Sequence, residues 1–126
     1  MAAKKEEALV LVSREQLLGA TKRRFTILDV PNLGKVRVRS LTERERTQFE
    51  SDNLDDKCLV DKEQALLAKR RLIVLCVVDA EGNPTLTLED AERLADIDGA
   101  ITGFLADALR TFCGFEKQDF EKIKGN

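Results

Sequence analysis

The sequence predicts a mainly α-helical fold with a small β-hairpin, an α+β domain with a short N-terminal helix, a hairpin over about 23–40 and then four helices. Three observations predict it. Capping-box pairs stand at Ser13/Gln16 and Thr42/Glu45. The apolar period falls to two between Phe25 and Arg39. Ile101, Phe104, Leu105, Ala108, Leu109 and Phe112 recur at i, i+3, i+4, i+7, i+8 and i+11, the signature of one helical stripe.

Residues 1–12 read as a charged, flexible lead, 13–115 as a single domain and 116–126 as a charged C-terminal tail. Ser13 opens a short helix through Leu17 and Leu18 that Gly19 stops. Phe25 and Ile27 alternate with Thr26 and Leu28, DVPNLG supplies the turn, and KVRVRS alternates again. In that second strand Val36 and Val38 share one face and Lys35, Arg37 and Arg39 the other, because successive side chains point to opposite sides.

Thr42 then caps a helix through TERERTQFES, with Phe49 as its main apolar contact, and the polar run SDNLDD forms a loop. From Asp61 a long helix is favoured, since Ala65, Leu66, Ala68 and Leu72 keep helical spacing. Its continuation through 72–78 is equally readable as a buried strand, because LIVLCVV is β-branched; a continuous helix is the expectation. Asp79–Pro84 is a turn, Thr87 and Asp90 cap a short helix carrying Ala91, Leu94 and Ala95, and Gly114 ends the last helix.

Composition removes several function classes. The chain has 126 residues, enough for one core, and 35% of them are charged with a net charge of only −2, so no global basic field draws in nucleic acid or an anionic membrane. Histidine is absent, which removes the usual general base and the commonest metal ligand. No Ser/His/Asp or Cys/His arrangement can form, and the expectation is a protein that is not an enzyme and uses no cofactor or metal. Cys58, Cys76 and Cys113 are odd in number and widely spaced, unlike a disulfide framework or a metal knuckle; Cys76 and Cys113 read as small buried hydrophobes. No run resembles a signal-peptide core or a membrane span, so a soluble, cytoplasmic protein is expected.

Other motifs are bland. Carboxylate pairs such as Asp55/Asp56 and Glu89/Asp90 read as solvated loops and caps, DAEGNP lacks the alternating ligands of a calcium loop, and VPNLGK lacks the further residues of a phosphate loop. The basic groups Lys22, Arg23, Arg24, Lys35, Arg37 and Arg39 could line one face of the hairpin and meet phosphates. That makes a small nucleic-acid-binding regulator the alternative function, with Lys35, Arg37 and Arg39 as electrostatic contacts. It is not preferred, because aromatic stacking residues are nearly absent from this face. Partner binding instead points to Phe104, Phe112, Phe115 and Phe120, at the end of the apolar stripe and in the tail beyond it.

The hairpin ending in VRVRSLTERER, the helix running into LIVLCVVDAEGNPTLTLEDAERLADID, and the closing ITGFLADALRTFCGF together resemble the small tail assembly chaperones of long-tailed bacteriophages and prophages. The hallmarks are a glycine-led VRVR strand before a Thr-capped helix, and a D-x-x-G-x-P turn before a short acidic helix, over about Ser13 to Phe115. The resemblance implies a non-catalytic protein that coats the phage tape measure protein in the host bacterial cytoplasm until tail tube subunits assemble around it. It also implies a longer form made by ribosomal frameshifting that recruits the tail tube protein, this chain looking like the shorter form. Self-association along the client is a further expectation, since many copies on one extended partner bind with avidity. No client-contacting residues transfer by motif.

Overall fold

The computed structural model describes residues 9–115. Helix α1, Arg14–Leu18, begins at the reciprocal capping box of Ser13 and Gln16, ends at Gly19, and buries no residue. Strands β1, Phe25–Val30, and β2, Gly34–Arg39, pair antiparallel with Phe25 opposite Arg39 and Val30 opposite Gly34. Asn32 and Gly34 turn the chain between them in the positive-φ region, at 64° and 136°, where asparagine and glycine are tolerated best.

Helix α2, Glu43–Ser51, starts at the Thr42/Glu45 capping box and buries Phe49. Helix α3, Lys62–Cys76, is capped by Asp61, whose carboxylate accepts from the Gln64 backbone N–H. The expected continuous helix through 72–78 is corrected at its end: Val77–Val78 form a third strand, β3, pairing with β2 at Arg37 and Val38. These two β-branched residues gain a ladder partner in place of another helical turn, and the sheet order becomes β1-β2-β3. Asp79 then organises the turn by accepting from the backbone of Glu81 and Asn83.

Helix α4, Asp90–Arg93, follows a Thr87–Asp90 hydrogen bond and passes into a 3-10 turn at Leu94–Asp96. Helix α5, Gly99–Phe112, is capped by Asp98. Among the described residues, five helices and a three-stranded antiparallel sheet thus make the α+β fold that the sequence predicts. None of the helices is long and apolar enough to cross a membrane, among the described residues.

The core lies where α3, α5 and the inner face of the hairpin meet, with Phe49 of α2 closing one side. Leu72, Ile73, Leu109, Val30 and Val38 are essentially inaccessible, each contributing about 1.5–3 kcal/mol of burial energy. Beyond α5, Phe115 donates to the Arg110 carbonyl and Gly114 to that of Thr111, with Gly114 at φ 82°, a Schellman closure. The closure turns Phe115 back onto Phe49, their rings 5.6 Å apart and tilted by 60°.

Candidate binding surfaces

The apolar stripe of α5 does not coincide with its buried face. Residues advance about 100° per position around a helix. The fully buried set is Thr102, Leu105, Ala106 and Leu109, whereas Ile101, Ala108 and Phe112 are half-buried and Phe104 is 37% exposed. The buried face is therefore rotated roughly 80° from the stripe centre. Sequence periodicity missed the shift because Thr102 is packed as a core residue, its hydroxyl satisfied by the Gly99 carbonyl.

That rotation sorts the four phenylalanines expected to bind a partner. Phe104 leaves about a third of its surface, 37%, open to solvent. Phe112 is half-buried and covered by the Arg24 guanidinium, 4.5 Å from its ring centroid. Phe115 is only 6% exposed and belongs to the core, with Arg46 stacked at 4.7 Å. The stripe's open end is thus at Phe104 and not at Phe115, because the Schellman turn folds the latter inward. Phe120 lies outside the described residues.

The basic side chains of the hairpin are largely committed to the protein's own oxygens. Arg23 donates to the Ser40 carbonyl and to both oxygens of Glu45, at 2.8, 2.7 and 3.2 Å. Arg37 donates to the carbonyls of Asp79 and Ala80 and stacks 4.4 Å over Phe25, so the Asp79–Pro84 turn folds across this face. Arg39, with its side chain 15% exposed, donates to the Leu75 carbonyl, one of the last-turn oxygens of α3 that lack a helical partner. Lys35 differs: its side chain is 73% exposed, with Asp29 3.9 Å away. A phosphate approaching this face meets one exposed cation of the three, Lys35, which already has Asp29 beside it, and two that bridge secondary elements.

Glu45 sits at the junction of this network. Burial alone would raise its carboxyl, but the Arg23 hydrogen bond, the Thr42 backbone bond and the Arg23 charge outweigh that and hold it at about 2. The ion pair thereby ties the segment before β1 to the first turn of α2.

A groove of about 310 Å³ runs between the end of α3 and the connection leading to α4. Phe49, Val74 and Leu75 line it on one side, Pro84, Leu86 and Leu88 on the other, with Arg39, Asp52 and Arg71 as its polar members. Arg71 reaches Asn53 and both oxygens of Gln64, and its Nε–H is buried without a partner. Burial holds the Arg71 guanidinium below its usual value against the opposing pull of Asp52 and Asp61. The sequence expectation placed Thr87 as a cap and assigned no role to Leu86 and Leu88, which are respectively half-buried and exposed.

Cys76 and Cys113, expected as small hydrophobes, are respectively buried and half-buried with sulfurs 3.8 Å apart. No group of three or more carboxylates and thiols converges as a metal site would, among the described residues.

Comparison with known proteins places the fold. No protein-family model matches the chain, and no curated protein sequence matches it. A solved structure, that of the bacteriophage HK97 tail assembly chaperone, superposes with a TM-score of 0.51 at 17% identity, covering 86% of this chain and 92% of that one. The two share a fold, at an identity where residue roles do not transfer.

Proposed function

We propose that this protein is a non-enzymatic phage tail assembly chaperone that binds the tape measure protein and keeps it soluble while tail tube subunits assemble. The observation that carries the reading is the shared fold with the HK97 tail assembly chaperone over most of both chains. Its physical support is exposed apolar surface, at Phe104 on α5, 37% exposed, and at Leu88 beside the groove, 70% exposed. A holdase needs such a surface on an otherwise charged body, because the client's own apolar helix faces must be met by something other than each other. The work is done in the host bacterial cytoplasm, by copies that associate with one another, and the tail tube protein joins through a longer frameshifted product. No covalent step and no cofactor is part of this role.

Co-expression with the tape measure protein tests it. The wild type keeps the client in the soluble fraction, and Phe104→Ser with Leu88→Ser, in a variant of unchanged circular dichroism, loses it. A client that stays insoluble with the wild type overturns the function. One that stays equally soluble with the double variant overturns the surface.

A further inference from the structure

Two unpaired features of the chain are complementary. The first is the outer edge of β1. Ser40 donates to the Arg24 carbonyl, which makes Arg24 and Ser40 a hydrogen-bonded pair in the same register as Phe25–Arg39. Hydrogen-bonded and non-bonded pairs alternate along an antiparallel ladder, so Thr26 and Leu28 bond to β2 while the backbone groups of Phe25, Ile27 and Asp29 face away from it. Among the described residues β1 lies at the end of the sheet and these groups form an open edge, with Ile27 beside it 60% exposed. One ionisable side chain, Asp29, guards it, with Lys35 nearby.

The second feature is the segment Leu9–Val12, LVLV. Its four side chains are between 65% and 88% exposed, and no hydrogen bond joins its backbone to any described residue. The run is rich in β-forming residues, carries no charge and contains no proline, which is the composition of a strand in want of a partner. In extended form four residues span about 13 Å, against about 16 Å for the five-residue edge Phe25–Asp29. The Ser13 capping box fixes where the segment leaves α1, and in that conformation it does not lie on its own chain's edge.

We propose that Leu9–Val12 of one copy adds as a strand to the open β1 edge of a second copy. Backbone hydrogen bonds supply the registration, and alternate side chains of the arm cover Ile27 and the exposed side of Phe25. This deepens the self-association within the reading above and specifies its interface. The same edge offers nothing to an apolar helix, whose backbone bonds are already internal.

Sedimentation velocity of the full chain across about 1–200 µM, paired with amide exchange, tests it. The expected result is a concentration-dependent species of at least twice the monomer mass, with the Ile27 and Asp29 amides exchanging about ten-fold more slowly when associated. Removal of residues 1–12, or Val10→Pro, returns the protein to monomer and abolishes that protection. Ile27→Pro does the same from the other side, since its N–H makes no bond to β2. A monomer throughout the range overturns the proposal, as does edge protection independent of concentration, which would mean that the arm closes on its own chain. Association that survives removal of 1–12 overturns it equally. Client solubility is read separately: a monomeric truncation that still holds the client spares the chaperone reading, and an associating protein that fails to hold it spares this one.

Discussion

Arg24 closes the end of α5 by donating to the Phe112 carbonyl at 2.6 Å while its guanidinium lies 4.5 Å from the centre of the same residue's ring. One side chain thus satisfies a last-turn carbonyl, complements the negative end of the helix and covers an aromatic face. The contact spans 88 positions in sequence, joining the segment before β1 to the last helix. Arg24→Ala is expected to cost about 1 kcal/mol, since the site is exposed and each part of the contact is small. Arg24→Lys recovers little of it, because an ammonium cannot stack its plane and donate at once. Urea unfolding checks both, and a loss within 0.3 kcal/mol for alanine, inside the usual scatter of surface changes, would show that the contact carries no stability.

The Arg23–Glu45 pair makes stability depend on pH. A carboxyl held at about 2 when folded, against an ordinary 4.5, binds protons more readily in the unfolded chain. Its contribution is present in full above about 4.5 and is lost as pH falls towards 2. Screening at a side chain 30% exposed reduces the effect to roughly 1 kcal/mol. Glu45→Gln should therefore be less stable than wild type at pH 7, with the gap narrowing between pH 4.5 and 3. Denaturant titrations of both proteins across that range decide it, and a gap that does not change with pH removes the ion pair as its cause.

The cysteines should react in an order set by burial and by their shared hydrogen bond. Cys58 is exposed. The Cys113 thiol is lowered chiefly by its bond to Cys76, helped by the Leu41 backbone and by Arg24 and Arg46, while Cys76 is raised by the same bond and by burial. Iodoacetamide is expected to modify Cys58 first, Cys113 more slowly, and Cys76 only after denaturant is added. Peptide mass spectrometry with time reads the order. Native labelling of Cys76 as fast as Cys58 would mean that the α3–α5 packing opens readily.

What the sequence disclosed and what it hid divide along a physical line. The capping boxes at Ser13 and Thr42 were legible because the signal is local, a hydroxyl and an amide or carboxylate three residues apart. The hairpin was legible from alternation and from the turn run DVPNLG, while its register came from the structure. The sequence left 72–78 open between helix and strand, and the strand at Val77–Val78 could not be chosen from it, since the reason for leaving the helix is a set of partners, Arg37 and Val38, far away in sequence on β2. The fate of the arginines was hidden for the same reason: Arg37 and Arg39 look like a basic face in sequence, and only tertiary packing brings the carbonyls of Asp79, Ala80 and Leu75 within reach. Phe115 was expected at a partner surface because it lies past the end of the apolar stripe, yet the φ of 82° at Gly114 is what turns its ring inward.

The rotation of α5 away from its apolar stripe yields the sharpest test of the fold. Leu109 and Phe104 belong to the same stripe, and a helix buried symmetrically about it would make both costly to truncate. Their environments differ: Leu109 is fully inaccessible between α3 and the hairpin, whereas Phe104 is 37% exposed. Leu109→Ala is expected to cost about 3 kcal/mol through lost burial and the cavity left behind. Phe104→Ser should cost less, about 1–2 kcal/mol, because more than a third of its surface is already exposed. Chemical denaturation of the two variants measures the difference. If Phe104→Ser proves as costly as Leu109→Ala, the helix buries its stripe squarely, and the exposed surface of Phe104 assigned to partner binding does not exist. If the difference stands, Phe104 holds the fold less than its place in the stripe suggests, and its exposed third is apolar surface left open to a partner.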